Sequence, residues 1–504
     1  MALIREVMTS PVVTGLSSEP LVEIARRMHQ HRVGSVVIVK GRMPAGIVTE
    51  HDVLGQVASG QLATVTAGEV MSAPVETIDE HLDAAGALEV MRTRRFRHMP
   101  VVAHDELVGV ISLRDLARLS ALGPPEVPPG LKGVVVADTE IGDVRGAEGF
   151  YHYRQHSAIE LATSRPLEDV WRLLIDGSLP ETRQERTAFT DEVRPLRTIP
   201  PSVAEVLPVI ARASAPLDGL RSALSLAAAE RGCRPLYDLD ASERRADALF
   251  VAALTPTLLA ALFRLRTGVE PVGPRDDLDY AANYLWMLTG DVPPSEHAQA
   301  LERYLISTID HGFNASTFTA RVIASTGADI GACITGAIGA LSGPLHGGAP
   351  SRALELLDEI GRPDRARAVV ADKVRSGQRI MGFGHAVYRT EDPRSRMLRD
   401  VARGLGGPLA ALAVAVEQRV VEALAELKPG RELYANVEFY AGVVMAACGI
   451  EPEMFTPTFA SSRVIGWSAN VLEQAMDPKI IRPSARYVGP PPPEPVPPFE
   501  GAPG

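Results

Sequence analysis

The feature that most limits what this chain can fold into is an internal repeat. EVMTSP at positions 6–11 returns as EVMSAP at 69–74, and GIVTEHD at 46–52 returns as GVISLRD at 109–115, both after 63 residues. Self-similarity at a fixed period marks a duplicated supersecondary unit. Between each pair of echoes lie a helical pattern, a β-rich run and a second strand that ends in Thr/Ser-x-x-Asp. The helical patterns are PLVEIARRMHQHRV and HLDAAGALEVMRTRRF, and the β-rich runs are SVVIV and MPVV. Each copy therefore reads as a βαββα-like unit, and together they occupy residues 1–120.

With 504 residues in all, room remains for about two more folding units. GPPEVPPG follows Leu122, and its prolines lack amide donors and hold their predecessors extended, so a linker is expected at 121–131. From Leu167 to about Arg486 nearly every stretch has apolar residues at helical spacing, several closing on glycine, as in LEDVWRLLIDG and SRALELLDEIG. The expectation is a mainly α unit over 132–489, followed by a proline-rich tail at 490–504 that builds neither helix nor sheet.

Composition narrows the function. A 46% hydrophobic, 22% charged chain is an ordinary globular protein. Fifty-one basic against 62 acidic residues give a net charge of −11, which disfavours a nucleic-acid-binding surface. Cys233, Cys333 and Cys448 are few, odd in number and without a CxxC pair, which fits a reducing compartment and argues against a cysteine zinc site. Arg5 and Glu6 interrupt any signal-peptide core, and no run reaches about 18 consecutive apolar residues, so a cytoplasmic protein with no membrane partner is expected.

The two 63-residue units resemble a tandem pair of CBS domains, the α/β pair called a Bateman module. The residues that carry the resemblance are Thr49 and Asp52 in the first copy and Ser112 and Asp115 in the second, each after a glycine and two branched apolar residues. The resemblance implies that hydroxyl and carboxylate hold a ribose, with an adenine nucleotide or S-adenosylmethionine as ligand. An ionised carboxylate suits that task as a pure acceptor able to face two donors. The plain alternative is that both pairs only cap helices; two copies in register favour the nucleotide. Arg42, Arg97 and His98 are candidates for neutralising phosphate.

Three histidines sit in glycine-rich segments: His311 in DHGFNAST, His346 in GPLHGGAP and His385 in GFGHAVYRTEDPR. Such glycines let backbone approach a ligand closely. Pro350 suits a first helical turn, which sets His346 just ahead of a helix N-terminus, where the dipole disfavours imidazolium. Asp392 and Pro393 read as N-cap and first helical position, which puts Arg394 in a first turn where cations are disfavoured. Either Arg394 faces a bound anion, or Glu391 and Asp392 neutralise it. Glu438 lies among apolar residues in ANVEFYAGVVMAACGI, and Arg463 lies on an apolar helix with Trp467 one turn later, where it needs an anionic partner.

In their order and spacing, GPLHGGA, GFGHAVYRTEDPR and the FYAG to GW segment resemble the citrate synthase family over residues 131–489, in particular the shorter bacterial type called citrate synthase 2. The fold implied is a mainly α catalytic unit with a large and a small domain, the small one at about 353–459. The activity implied is condensation of acetyl-CoA with oxaloacetate and water, giving citrate and CoA without a tightly bound cofactor or a metal. By the same resemblance His346 hydrogen-bonds the thioester oxygen, Glu438 removes a methyl proton, and His385 polarises the oxaloacetate carbonyl. His311, Arg394 and Arg463 match oxaloacetate and citrate ligands. Arg482 matches the arginine that reaches across a homodimer. Gly382, Phe383 and Gly384 match backbone against the CoA adenine, with Arg389 as a phosphate contact. The chemistry is coherent, because a thioester α-proton is too weakly acidic for a carboxylate unless a preorganised donor stabilises the enolate. Three arginines also suit a dicarboxylate that becomes a tricarboxylate.

Two positions depart from the family pattern. Glu438 stands where aspartate is usual, although the citrate synthase 2 type also carries glutamate, and Asn470 stands where histidine is common. The expected function is a citrate synthase regulated by an adenine nucleotide at the CBS pair. Propionyl-CoA as donor, giving 2-methylcitrate, is one alternative, since a methylene changes pocket affinity by only about 1–3 kcal/mol. A regulatory protein that senses CoA or citrate through a weakened site is the other.

Overall fold

The computed structural model describes residues 3–490 except 32, 95, 114, 117–130, 132, 345, 348, 386, 478 and 486. All of the expected linker but Leu131, and the tail beyond 490, therefore lie outside the described residues. The chain divides into two compact units, 1–135 and 136–504.

In the first unit the repeat is visible down to its register. Helix Leu21–His31 leads into a hairpin of Ser35–Lys40 and Met43–Thr49, then helix Glu50–Ala58. Helix Ala84–Arg94 leads in the same way into His98–Ala103 and Glu106–Ser112. Ser35 pairs with Thr49 as His98 pairs with Ser112, and the register shifts at Ile38/Val39 and again 63 residues on at Val101/Val102. The copies also exchange their leading segments. Thr9 bridges to Val110 and Ser72 to Ile47; Met8 covers Gly109 and Met71 covers Gly46, so closely that a Cβ at either glycine would lie under 3.0 Å from the methionine sulfur. Each half thus adds a single bridge and a methionine cover to the other's hairpin.

The second unit is mainly helical around one extended core. Helix Ala241–Arg266 runs through it, buried continuously from Ala248 to Leu262, and packs along helix Phe455–Gln474. By length and composition it is apolar enough to cross a membrane. Its burial inside this unit accounts for the same composition, since a helix apolar on all sides must be buried on all sides.

Two features differ from the expectation. A small three-stranded sheet, Gly142–Arg145, Phe150–Tyr153 and His156–Ser157, precedes the helices. Its middle strand alternates, with Tyr151 and Tyr153 inward, but four residues are too few for periodicity to stand out in a sequence. The last helix ends at Gln474 rather than near Arg486. Beyond it the described residues form turns and irregular chain, and Pro483 removes a donor where a helix would need one.

Candidate active site

The loop between helices Ser295–Thr308 and Ala315–Ala324 carries Asp310 and His311. It meets helix Phe455–Gln474 at Gly466, where a Cβ would lie 2.0 Å from the Ile309 carbonyl oxygen. Only glycine permits this approach, and it sets two polar side chains of the helix against the loop. Arg463 Nε donates to the Thr308 carbonyl at 2.8 Å, and Asn470 Nδ2 donates to Asp310 Oδ1 at 3.2 Å. Arg463 is buried, and that burial lowers its pKa against the opposing charge of Asp310.

Asn470 also accepts from Arg321 Nε at 2.8 Å and donates to the Gly466 carbonyl. Arg321 continues to Gln474, Thr139 and Glu473. The departure at 470 is thus a fully bonded link between buried charges, which leaves the Arg463 surroundings intact. A buried amide with every group engaged stabilises where a half-bonded one would cost.

His385 follows two left-handed glycines, Gly382 (φ 80°) and Gly384 (φ 85°). A Cβ at Gly382 would lie 3.1 Å from the Cβ atoms of both Ala353 and Phe439. Phe383 bridges to Ala435, and Asn436 clamps the glycine turn by bonding the carbonyls of Gly382 and Gly384, each at 2.9 Å. Nδ1 of His385 accepts from the backbone amides of Val387 (3.0 Å) and Tyr388 (3.1 Å). An accepting Nδ1 carries no proton, so the neutral ring holds it on Nε2. Burial, then the Arg394 charge, lower the His385 pKa to about 4, with Asp392 opposing. Arg394 Nη2 lies 3.4 Å from that Nε2. Two donors at this separation do not bond each other, so one acceptor atom can take both.

Asp392 caps helix Pro393–Leu405 by accepting the Arg394 amide at 3.0 Å. It also takes the Arg394 side chain on both oxygens, at 3.0 and 2.8 Å, and the Val437 amide at 3.1 Å. Of the two acids considered for Arg394, Asp392 is therefore its partner, whereas Glu391 pairs with Arg399 at 2.8 Å. This forked pair also fixes the start of helix Val437–Ala447, whose first turn carries Glu438. No hydrogen-bond donor reaches the Glu438 carboxyl among the described residues. Desolvation pushes its pKa up to about 7; Asp392 adds to the rise, and Arg394 and Arg463 oppose it. A helix first turn favours an ionised carboxylate, but here burial outweighs it.

His346 Nε2 lies 2.8 Å from the Ser316 hydroxyl, which is also 2.7 Å from Asn314 Oδ1. Its pKa falls to about 4, through burial and then the Arg463 charge. His311 Nε2 pairs with the Tyr388 hydroxyl at 2.9 Å, and its ring centroid lies 5.6 Å from that of His385. Burial and the neighbouring Arg394, His385 and Arg463 keep His311 neutral as well.

Sequence reasoning missed Tyr388, Tyr151, Asp310 and Ser316. Tyr388 lay within the quoted GFGHAVYRTEDPR segment. Tyr151, with its ring 5.4 Å from His311, comes from a strand 160 positions away in the chain and left no local signal. Gly384, His385 and Arg389 line a cavity of about 720 Å3 with Arg431 and Tyr434. Arg482 is exposed on the irregular segment after the last helix.

Residues 130–484 match the family described as citrate synthase, C-terminal domain. The chain belongs to the citrate synthase family. It is a transferase of the citrate synthase type, and ahead of that region residues 4–59 and 67–122 each match the CBS domain. Over 375 residues it is 39% identical to a Mycobacterium tuberculosis protein named "Putative citrate synthase 2", covering 73% of this chain and 95% of that one. It is 37% identical over 369 residues to the 2-methylcitrate synthase of the same organism, covering 72% and 91%. Among solved structures it is similar to the Thermoplasma acidophilum citrate synthase in ternary complex with carboxymethyl coenzyme A and oxaloacetate, with TM-score 0.68, 28% identity and coverage of 74% and 98%.

In the CBS pair of this citrate synthase family member, a cavity of about 940 Å3 lies between the copies. Arg97, His98, Ser112 and Asp115 line it. Thr49 and Asp52 form a capping box, the Asp52 carboxylate accepting both the Thr49 amide and hydroxyl at 2.7 Å. Arg42, a phosphate candidate from sequence, instead pairs with Glu106 at 3.1 Å, because the turns of the two copies' hairpins meet, the Leu107 amide donating to the Arg42 carbonyl at 2.9 Å.

Proposed function

We propose that the helical unit condenses acetyl-CoA with oxaloacetate and water to give citrate and CoA. The observation that carries this reading is the Glu438 carboxyl, raised by desolvation to about 7 among the same arginines that, with burial, keep His346 and His385 neutral, the His385 proton being held on Nε2 by its backbone partners. In this reading the Glu438 carboxylate takes a methyl proton from acetyl-CoA while His346 donates to the thioester oxygen and stabilises the enolate. In the structure the Ser316 hydroxyl donates to Asn314 Oδ1 and so accepts from His346 Nε2–H; Nδ1 becomes the donor to the thioester oxygen once substrate binding turns that hydroxyl towards Nε2. The enol carbon attacks the oxaloacetate carbonyl, and the oxygen gains its proton from His385 Nε2–H. Hydrolysis of citryl-CoA then releases both products.

Arg394, Arg463 and His311 hold the oxaloacetate carboxylates, and Arg482 serves the neighbouring subunit of a cytoplasmic homodimer. Gly382, Phe383, Gly384 and Arg389 bound the CoA site beside the 720 Å3 cavity. The CBS pair binds an adenine nucleotide and adjusts this activity, which requires the nucleotide to favour one of two conformational states. Asn470 gave the sensor alternative part of its support, and its complete hydrogen bonding removes that part.

The test is oxaloacetate-dependent release of free CoA, with acetyl-CoA and propionyl-CoA in parallel, each with and without AMP, ADP or ATP. Faster release from acetyl-CoA is expected. Faster release from propionyl-CoA makes the protein a methylcitrate synthase, and no release from either donor points to the sensor.

A further inference from the structure

The CBS copies agree in backbone but not in the side chains they turn to the clefts between them. Any position in one cleft has its counterpart 63 residues away, so the clefts can be compared residue by residue. The 940 Å3 cavity is lined by apolar Val13, Val33 and Val110 and by charged or polar Glu50, Arg97, His98 and Asp115. Its size suits a small-molecule ligand. Gly34 keeps the floor low, since even a Cβ there would already touch the His98 ring at 3.5 Å.

The mirror cleft would use Thr49 and Asp52. There the counterparts of Val13, His31, Val33 and Gly34 are Glu76, Arg94, Phe96 and Arg97. Glu76 and Arg94 form an ion pair, so a charged bridge stands where the first cleft offers a valine wall to a base. Seating an apolar ring there would strip water from both charges without repayment. Phe96 packs on the second copy's core, and Arg97 already lines the first cleft. Resting on the nucleotide reading above, we infer that the module takes one adenine nucleotide per chain. It sits in the cleft bounded by Ser112 and Asp115, and the Thr49 and Asp52 copy serves only as a helix cap. The base lies between the valines, the ribose hydroxyls donate to Asp115, and the phosphate meets Arg97 and His98.

Calorimetric titration of the full chain with AMP, ADP and ATP separately tests this. One molecule per chain is expected for every nucleotide that binds. Asp115→Asn and Arg97→Gln should each weaken binding about tenfold or more, the size of a charge-assisted hydrogen bond, while Asp52→Asn should stay within about twofold. Thermal melting of each variant separates lost binding from lost folding, and Arg97→Gln leaves both capping pairs untouched. Two molecules per chain, or equal damage from Asp52→Asn and Asp115→Asn, overturns the one-cleft assignment while leaving nucleotide binding intact. Binding unaffected by Asp115→Asn and Arg97→Gln overturns it too. No binding of any of the three nucleotides sinks this inference together with the reading beneath it.

Discussion

The two units handle their polar residues in opposite ways. In the CBS pair the chemistry-bearing residues are three apart in sequence, partly exposed, and bonded first to each other, as Thr49 and Asp52 are. In the helical unit Asp310, His385, Arg394, Glu438 and Arg463 come from segments up to about 150 positions apart and are buried or half-buried. A local motif can satisfy itself by capping a helix, and a ligand must then compete with that bond. Arg394 is held locally by Asp392, but the Glu438 carboxyl has no such partner, so desolvation shifts it and leaves it poised for a substrate. The difference teaches that a recognisable motif is weaker support for binding than an unspent buried charge.

The sharpest break of this contrast is Glu438→Gln. If the unpartnered carboxyl is the base, kcat/KM falls by about 10²–10⁴ while calorimetry still detects oxaloacetate binding. Retained turnover would falsify the assignment. Next comes Arg394→Met, which strands Asp392 in the interior and should lower the helical unit's stability by about 3–5 kcal/mol, read from its thermal or denaturant transition. A surface pair of the same geometry would lose far less.

Asn470→Ala removes a partner from both Arg321 and Asp310, a cost of about 1–3 kcal/mol. Because Asn470 bonds to structure rather than to substrate, KM for oxaloacetate should hardly move in steady-state assays; a large rise would make it a substrate ligand. Smallest is Thr49→Ala, expected to cost about 1 kcal/mol as a lost cap, seen in the melting of the CBS unit with basal turnover unchanged.

The pH profile sharpens the same comparison. Glu438 acts as a carboxylate, so kcat/KM should fall as pH drops through about 7, whereas His346 and His385, with pKa near 4, stay neutral across that range. For stability the sign reverses. A carboxyl raised from 4.5 to about 7 favours the fold when protonated, so its contribution is whole below about pH 4.5 and is lost as pH rises through 7. An acid limb centred near the ordinary carboxylate value would show that Glu438 is solvated in the working enzyme.

Much of this was legible in the residues themselves. Repetition at 63 residues announced the paired α/β units because a duplicated sequence must fold twice the same way. Helical periodicity announced the second unit, and Asp392-Pro393 announced the helix that places Arg394, since caps act through their nearest neighbours. The short sheet carrying Tyr151 stayed hidden because four residues give no period to read. The sequence also left open whether Arg394 was paired and whether Asn470 was a defect. Those answers depend on which distant groups share a dry space. Asp392 reaches Arg394 and Val437 together, and Asn470 joins Asp310 to Arg321. Local order follows from short-range sterics and hydrogen bonds that a sequence displays directly, whereas the charge state of a buried group is set by the tertiary neighbours that replace water around it.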